Sequence, residues 1–476
     1  MDITKDTRKR LKLKSLDISK KIAPMPNYTL LKNARIVNEG KDFYGHILIH
    51  KEFIEKIFHK DETIPESLAE NANTIDLKGN LLMPGVIDDQ VHFREPGLTH
   101  KGDINTESLA AAAGGITSFM EMPNTNPQTS TQKLLEEKFK TGAEKSITNY
   151  SFYIGGTNDN VEELKATDIA NVCGVKVFMG SSTGNMLVDN PESLKKIFSA
   201  LHYIPVAVHC EEESIINKNT ELAKSKYGDD IPIEVHPVIR SHDACITSSQ
   251  KATELAKRHD TRLHLLHLST AQEMQLLDTA PLTDQKRITA EVCAHHLWFT
   301  SDDYKEKQSL IKWNPAVKNI ADRDALWKAL TDNRLDVIAT DHAPHTFEEK
   351  QNKYLACPSG APMVQHSLVL MLESYKAGNI SLHALVKKMC HNPAICFNVV
   401  KRGFIREGYY ADLVVVDMKS EWTVSKENIL YKCGWSPLEG QLFTSRIMHT
   451  FVNGKQVFYK GKFDLSHRGM ALKFNR

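Results

Sequence analysis

The sequence predicts an α/β protein: a parallel (β/α)8 barrel of the TIM type, with a small β-sandwich built from the N- and C-terminal segments. Three observations predict this fold. Short apolar runs alternate with helical stretches eight times in the middle of the chain. Short strands separated by turns occupy the regions on either side of that middle part. The chain of 476 residues is long enough for one large barrel with appendages.

The eight apolar runs are the predicted barrel strands, because strands that are buried on both faces are continuously apolar. They lie at residues 86–92, 115–122, 150–154, 172–179, 204–209, 263–268, 288–292 and 335–340. Helices are predicted between them, for example at residues 107–113 before Gly114, and at residues 191–200 after the helix-capping residue Asn190. In a parallel barrel, catalytic groups lie at the C-terminal ends of the strands.

The flanking regions are predicted to contain the sandwich strands. These lie at residues 28–37, 46–50, 53–58, 74–77, 411–417, 447–452 and 455–459, and Asn453-Gly454 is a strong hairpin signal. We therefore divide the chain into four segments. They are a basic N-terminal extension at residues 1–27, the first part of the sandwich at 28–83, the barrel at 84–400 and the second part of the sandwich at 401–476.

The composition excludes several classes of partner. The chain contains 60 Lys and Arg residues and 59 Asp and Glu residues, so charge gives no general attraction to nucleic acid or to a membrane surface. No apolar run approaches the roughly 20 residues of a membrane-spanning helix, and we expect no signal peptide. The eight cysteines form no CxxC pair, which is typical of a reducing, cytoplasmic environment. We expect a small-molecule substrate.

Chemistry-bearing side chains follow or lie in several of the predicted barrel strands. His92, His209 and His267 lie at strand ends, Asp341 follows the last strand, and Lys176 lies within the fourth. Each histidine alone could be structural, but several at one barrel mouth indicate a shared site. Neutral imidazoles and carboxylates are typical ligands of zinc and similar divalent ions. His92 and Asp341 could bind one ion, and His209 and His267 a second.

Lys176 needs a separate explanation, because a protonated amine between two cations would be repelled strongly. Its neutral amine can react with carbon dioxide, and the resulting carbamate is a two-oxygen anion that could bridge two ions. The alternative is a lysine paired with a nearby acid, for which the apolar strand around Lys176 offers no candidate. His295 and His296 follow the seventh strand and would add two imidazoles to the same mouth.

These groups support hydrolysis of an amide or the reverse reaction. A metal-bound hydroxide is a strong nucleophile toward an amide carbonyl at neutral pH. Asp341 could take up the proton and return it to the leaving nitrogen. Gln90, His92 and Arg94 project to the same side, because side chains of a strand alternate between its faces. Arg94 and Asn124 offer donors to a substrate carboxylate.

The motifs resemble those of the dihydroorotases, a family of the amidohydrolase superfamily, in their bacterial class I form. The likeness covers residues 28–460, and its motifs are specific. Residues 84–97 resemble the family pattern PGxxDxHxHxREPG. The other matching motifs are residues 122–125, 264–270, 291–292, 295–297, 314–315, 341–346 and 408–413.

The resemblance implies reversible cyclisation of N-carbamoyl-L-aspartate to L-dihydroorotate in de novo pyrimidine biosynthesis. It implies one or two divalent ions, zinc in particular, held by His92, Lys176, His209, His267 and Asp341. Lys176 would be carboxylated, and Asp341 would also be the catalytic acid and base. The implied substrate-binding residues are Arg94, Asn124, Asn314, His345, Ser359 and Gly360. The loop at residues 345–362 could close over the site.

The sequence departs from the family pattern at three positions. Gln90 replaces the first histidine of the HxH pair, and a glutamine carbonyl is a weaker zinc ligand than an imidazole. The ion shared by His92 and Asp341 could therefore be loosely bound or absent. Close bacterial relatives often carry Asp where this chain has Lys176, so the carbamate is inferred from the broader superfamily. Ser359 stands where relatives often have an apolar residue.

Two other functions stay open. A cyclic amidase of the allantoinase or hydantoinase type shares the barrel and the ligands, but Arg94 argues against it, because a buried guanidinium without an anion is costly. A catalytically impaired assembly subunit is favoured by Gln90 and opposed by the retained ligands. The resemblance also implies a homodimer or homotetramer, with aspartate transcarbamoylase as a candidate partner.

Overall fold

The computed structural model describes residues 28–180, 186–283 and 285–476. The predicted N-terminal extension lies outside these ranges. The strands, in chain order, are β1 (Tyr28–Asn38), β2 (Lys41–His50), β3 (Phe53–His59), β4 (Asn73–Asp76), β5 (Leu81–Pro84), β6 (Val86–Val91), β7 (Ile116–Glu121), β8 (Asn149–Phe152), β9 (Ile154–Gly155), β10 (Val175–Phe178), β11 (Val206–His209), β12 (Leu263–Leu265), β13 (Ile288–Cys293), β14 (Val337–Ala339), β15 (Leu413–Asp417), β16 (Trp422–Thr423), β17 (Leu442–Phe443), β18 (Arg446–Val452), β19 (Lys455–Tyr459) and β20 (Lys462–Phe463).

The helices lie mainly between the strands of the middle region. The α-helices are α1 (Glu66–Asn71), α2 (Ile104–Ala113), α3 (Gln132–Lys145), α4 (Val161–Lys165), α5 (Pro191–Ala200), α6 (Glu213–Tyr227), α7 (His236–Ile239), α8 (His242–His259), α9 (Ala294–Trp298), α10 (Tyr304–Lys307), α11 (Ile320–Thr331), α12 (Phe347–Lys350), α13 (Ser367–Lys376), α14 (Leu382–Val386) and α15 (Asn392–Phe397). Short 3₁₀ turns lie at Ile233–Val235, Glu273–Leu276, Ser301–Asp303 and Gln308–Ile311, and a π-helical turn lies at Lys387–His391.

Both ends of the described chain build one nine-stranded sheet. Its order is β20-β19-β18-β15-β5-β1-β2-β3, and β4 pairs with β1. The two ends meet where β15 runs antiparallel to β5, with Leu413 opposite Pro84 and Val416 opposite Leu81. Apolar side chains from both ends, including Ile36 and Val415, are buried together against one face of this sheet. Both ends of the described chain therefore contribute strands to the same sheet.

Parallel strands form the middle region. One sheet has the order β6-β7-β8 and a second has the order β14-β13-β12-β11-β10-β9. Tyr153 alone separates β8 from β9, and its backbone N–H donates to the Glu121 carbonyl at 3.0 Å. On the other side, the His92 N–H donates to the His342 carbonyl at 2.7 Å, just beyond β6 and β14. Every predicted barrel strand overlaps an observed strand.

Capping residues determine where the helices begin. Helix α2 starts three residues earlier than predicted, because the Asp103 side chain accepts a hydrogen bond from the Thr106 N–H at 2.8 Å. Helix α5 has the predicted bounds, and its cap Asn190 accepts from the Glu192 N–H at 2.9 Å. Among the residues that the structure describes, no helix has both the length and the apolar character needed to cross a bilayer.

Candidate active site

A cavity lies at the C-terminal ends of the parallel strands. Every residue predicted to bind metal or substrate lines it, apart from His345. The lining residues are Gln90, His92, Arg94, Asn124, Lys176, Phe178, His209, His267, Trp313, Asn314, Asp341, Ala343, Ser359 and Gly360. Side chains that are up to 270 residues apart in sequence therefore share one pocket, because parallel strands end on the same side of their sheets.

His92 and Asp341 form the first group of candidate ligands. His92 Nε2 lies 3.2 Å from Asp341 Oδ1. The Nδ1–H of His92 donates to Asn124 Oδ1 at 2.8 Å, so Nε2 keeps its lone pair toward Asp341. Gln90 Nε2 donates to the same carboxylate oxygen at 3.2 Å, and Gln90 Oε1 has no hydrogen-bond partner among the described residues.

His209 and His267 form the second group. His209 Nδ1 lies 3.0 Å from His267 Nε2. The other nitrogen of His209 donates to Glu211 Oε2 at 2.9 Å, and the Arg240 guanidinium donates to the same oxygen at 2.5 Å. Burial would raise the pKa of Glu211, but Arg240 and His209 hold it at about 2. A carboxylate that fixes one imidazole nitrogen and leaves the other free is the usual support of a metal-binding histidine.

Our sequence reasoning missed Glu211 and Arg240. A signal for Glu211 was present, because a residue two positions after a strand-end histidine projects to the same side. Arg240 has no such signal, since it follows α7 and meets Glu211 only in the folded chain.

Lys176 is buried between these groups, with 1% of its surface exposed. Its Nζ has no hydrogen-bond partner or ion pair among the described residues and lies 4.5 Å from the centre of the Phe178 ring. Burial lowers the pKa of Lys176 to about 7, against the opposing effect of Asp341. A substantial fraction of the amine is therefore neutral near neutral pH, and the neutral amine is the form that reacts with carbon dioxide.

Arg94 is held from behind. Its Nε donates to the Pro344 carbonyl at 3.0 Å. His345 Nε2 lies 3.0 Å from Arg94 Nη2 and 3.0 Å from the Ser359 carbonyl oxygen. Lys101 Nζ donates to His345 Nδ1 at 3.0 Å, which leaves the Nε2–H to donate to Ser359. The structure thus places His345 behind Arg94 and Ser359, and burial lowers the pKa of Arg94 only to about 10.

Three of the site residues have left-handed backbone conformations. The φ angles are +69° at Arg94, +41° at His267 and +45° at Asp341. For residues other than glycine this conformation costs about 1–3 kcal/mol, and it is concentrated at functional sites. The surrounding contacts stabilise it: for example, the His267 N–H donates to Glu291 Oε1 at 3.0 Å.

Glu291 belongs to a buried group beneath the cavity. His264 Nε2 lies 3.1 Å from Asp89 Oδ2 and 3.4 Å from Glu291 Oε2. Although burial opposes it, the two carboxylates raise the pKa of His264 to about 9. These three residues could in principle hold an ion, but a protonated His264 already balances one of the two carboxylates. The group supports His267 from below.

His295 and His296 do not line the cavity, contrary to expectation. They lie on α9, which turns away from the end of β13. His295 stacks on the Trp313 ring with centroids 3.9 Å apart, and His296 Nε2 donates to the Pro315 carbonyl at 3.1 Å. They therefore lie behind Trp313, which itself faces the cavity.

The donors in the cavity fit a divalent cation. Besides the paired imidazoles and Asp341, it contains buried polar atoms with no hydrogen-bond partner in the described chain, namely Gln90 Oε1, Lys176 Nζ and Asn314 Oδ1. Buried polar atoms are normally paired, so such a concentration indicates that a ligand completes the site.

A pocket lined by paired imidazoles and a carboxylate at the ends of parallel strands suits a hydrolase, and the comparison with known proteins agrees. The Amidohydrolase family matches residues 81–457, and the chain belongs to this family. Relatives named dihydroorotase include the protein of Pyrococcus furiosus, 34% identical over 382 residues, with 80% of this chain and 82% of that one covered. The dihydroorotase of Bacillus cytotoxicus is 32% identical over 441 residues, and the match covers 91% of this chain and 99% of that one. The resemblance recognised in the sequence is confirmed.

Solved structures of the same fold include the L-hydantoinase (dihydropyrimidinase) from Arthrobacter aurescens. It superimposes with a TM-score of 0.85 and 27% identity, and the match covers 92% of this chain and 97% of that one. Dihydropyrimidinase from Brevibacillus agri has a TM-score of 0.82 at 23% identity, which concerns the fold alone.

Proposed function

We propose that this amidohydrolase is a dihydroorotase, which interconverts L-dihydroorotate and N-carbamoyl-L-aspartate by opening or closing a cyclic amide. The names of the relatives support this assignment. The observation that carries it is Arg94, a buried guanidinium that lines the same cavity as the candidate metal ligands. A buried guanidinium without an anion is costly, so the substrate should carry a carboxylate. Dihydroorotate has one and hydantoin has none.

We further propose that the two parallel sheets form one closed eight-stranded barrel over residues 84–400, with residues 28–83 and 401–476 as a small β-sandwich. The single residue between β8 and β9, and the hydrogen bond from the His92 N–H to the His342 carbonyl at the other junction, support closure. The pairing of β15 with β5 supports the assignment of both chain ends to one unit.

The residues that would hold a divalent ion are His209 and His267 on one side and His92 and Asp341 on the other. Lys176, carboxylated by carbon dioxide, would lie between them, and Gln90 is a weaker further candidate. Zinc is the ion that this set of donors favours. When bound, it would supply Lewis acidity and bring the pKa of a coordinated water down to about 7.

Asp341 would carry the proton of the reaction. Burial raises its pKa to about 7, so its carboxylate can take up and release a proton near neutral pH. In hydrolysis a C–O bond forms from water to the ring carbonyl carbon, and the ring C–N bond breaks. The proton of the water passes to an Asp341 oxygen and then to the departing nitrogen. Cyclisation follows the same path in reverse.

The remaining lining residues would bind the substrate. Arg94 would hold the carboxylate in a charge-assisted pair, with Asn124 nearby. Asn314, Ser359 and Gly360 would contact the ring, and His345, whose Nε2–H donates to the Ser359 carbonyl, would hold Ser359 in place.

The test is turnover of L-dihydroorotate, L-5-substituted hydantoins and allantoin by zinc-loaded protein, compared between wild type and Arg94→Ala. We expect the wild type to prefer dihydroorotate, and the variant to show a Michaelis constant for it raised by about tenfold or more, from the loss of one charged contact. A preference for hydantoin or allantoin would assign the other cyclic amidase activity instead.

The impaired assembly subunit is the second candidate, and Gln90 is the observation that favours it. Absence of turnover of every cyclic amide, in protein shown by elemental analysis to contain zinc, would select it. We also propose a cytoplasmic homodimer or homotetramer, with aspartate transcarbamoylase as a partner. Light scattering of the protein alone and after mixing with that enzyme tests both proposals on assembly.

A further inference from the structure

Two buried lysines lie beneath the loop that follows the last barrel strand. Lys350 is completely buried at the end of α12, and Lys312 is 6% exposed. Neither forms an ion pair among the described residues. Burying a cation without a counter-ion is unfavourable, so each of these lysines needs an explanation from its contacts.

Backbone carbonyls satisfy Lys350. Its Nζ donates to the carbonyls of Pro358 at 2.9 Å, Gly360 at 3.0 Å and Lys312 at 3.3 Å. An ammonium group has three N–H donors, and each of them has an acceptor here. Two of the three acceptors flank Ser359, so the charge of Lys350 is directed at the turn that faces the cavity.

Lys312 holds the preceding part of the same loop. Its Nζ donates to the carbonyls of Tyr354 at 2.6 Å and Cys357 at 2.5 Å, and lies 4.2 Å from the centre of the Tyr354 ring. The backbone carbonyl of Lys312 also accepts the Gly360 N–H at 2.8 Å. Lys312 is followed by Trp313 and Asn314, which line the cavity. The same lysine therefore connects this segment to the segment that contains Ser359 and Gly360.

The turn at residues 358–360 requires a glycine at position 360. Gly360 has a φ of +128°, and a Cβ there would lie 2.5 Å from the Ala343 carbonyl oxygen. Contacts from outside the turn fix its position: the Lys350 ammonium binds the Pro358 and Gly360 carbonyls, the Lys312 carbonyl accepts the Gly360 N–H, and His345 donates to the Ser359 carbonyl.

We propose that Lys350, together with Lys312, is a positioning residue for the substrate, whose ammonium group holds Ser359 and Gly360 against the cavity. The assignment of Ser359 and Gly360 as substrate contacts rests on the proposed function. Lys350 does not touch the cavity, so it acts only through the turn. It makes the loop a fixed wall of the site rather than a freely moving cover.

The test compares Lys350→Met with Lys388→Met. Methionine has a similar shape without the charge. Lys388 is a matched control, because it is also buried and its Nζ donates to the Leu335 carbonyl at 2.6 Å, at the N-terminal end of β14 and away from the cavity. For Lys350→Met we expect the Michaelis constant for dihydroorotate to rise about tenfold while kcat changes by less than about threefold. For Lys388→Met both should stay within about twofold.

Hydrogen exchange gives a second readout that does not depend on activity. We expect faster exchange across residues 354–361 in Lys350→Met and unchanged exchange there in Lys388→Met. If the wild type fails to turn over dihydroorotate, the proposed function is wrong, and this comparison still decides whether Lys350 holds the turn.

If Lys350→Met does not fold, Lys350→Gln and Lys312→Met are measured in the same way. Lys350→Gln keeps two N–H donors on a shorter side chain and should be affected less. An unchanged Michaelis constant and unchanged exchange in the folded variants would overturn the proposal. An equal rise of the Michaelis constant in Lys388→Met would also overturn it, since the effect would then be general destabilisation.

Discussion

The support of His209 by Glu211 gives the sharpest prediction about the metal site. In Glu211→Gln the side chain keeps its shape but loses its charge. Glu211 Oε2 accepts both from His209 Nε2 at 2.9 Å and from Arg240 at 2.5 Å, so the substitution weakens two contacts together. It leaves the buried Arg240 without its anion and frees the His209 ring to rotate or change tautomer.

The size of the effect follows from these contacts. Loss of a carboxylate that orients a metal-binding histidine lowers metal affinity about 10- to 100-fold, which corresponds to about 1.4–2.7 kcal/mol. Because the pKa of Glu211 is held at about 2, the group is ionised at every working pH, and the loss should be independent of pH between 6 and 9.

Competition for zinc with a chromogenic chelator measures the affinity, and elemental analysis measures the metal content. The control is Glu212→Gln, which removes the neighbouring glutamate, whose partner is the half-exposed Lys251 at 2.6 Å. A surface pair of this kind contributes little, so the control should bind zinc as the wild type does. Zinc affinity of Glu211→Gln within twofold of wild type would refute the assignment of His209 as a ligand held by Glu211.

Three further predictions concern the proton carrier Asp341, the glutamine Gln90 that replaces a family histidine, and the buried Lys350. Asp341→Asn should abolish turnover, by at least about 10³-fold, with an unchanged melting temperature, because it removes the proton carrier; near-normal activity would contradict that role. Gln90→His should bind zinc more tightly and contain more of it by elemental analysis, since imidazole is the better ligand. Equal metal content in the two proteins would contradict the view that Gln90 weakens zinc binding. Burial, together with the charges of Lys312 and Arg94, lowers the pKa of Lys350 to about 7 against the opposing effect of Cys357 and Glu349. The ammonium is therefore lost as the pH rises through about 7, so the wild-type Michaelis constant should rise between pH 6 and 8.5, and Lys350→Met should lack this rise.

Much of the fold was predictable because its signals are local. The barrel strands are continuously apolar, and the cap Asn190 precedes a helix that begins immediately after it. The candidate ligands were predictable because the C-terminal ends of parallel strands lie together. The bounds of α2 were not predictable, because a cap hydrogen bond decides them. The direction of α9 was not predictable either, because it depends on the turn after β13.

Supporting residues of the site were harder to predict than the ligands. Arg240 and Lys350 occur in segments that look like ordinary polar loops or helix ends. Their partners are carbonyls and a carboxylate brought to them by folding, and no pattern of residue types encodes a backbone carbonyl as an acceptor. The left-handed φ at Asp341 is likewise a product of its surroundings.

The sequence by itself determined the order of strands and helices, the family and the identity of the chemistry-bearing residues. Each of these depends on neighbouring residues or on a short motif. Only the tertiary structure decided that His295 stacks on Trp313, that Glu211 joins His209 to Arg240, and that Lys350 and Lys312 donate to backbone carbonyls of the loop after the last barrel strand. These facts depend on which distant segments pack together, and packing is settled by the whole buried core rather than by any one stretch of chain.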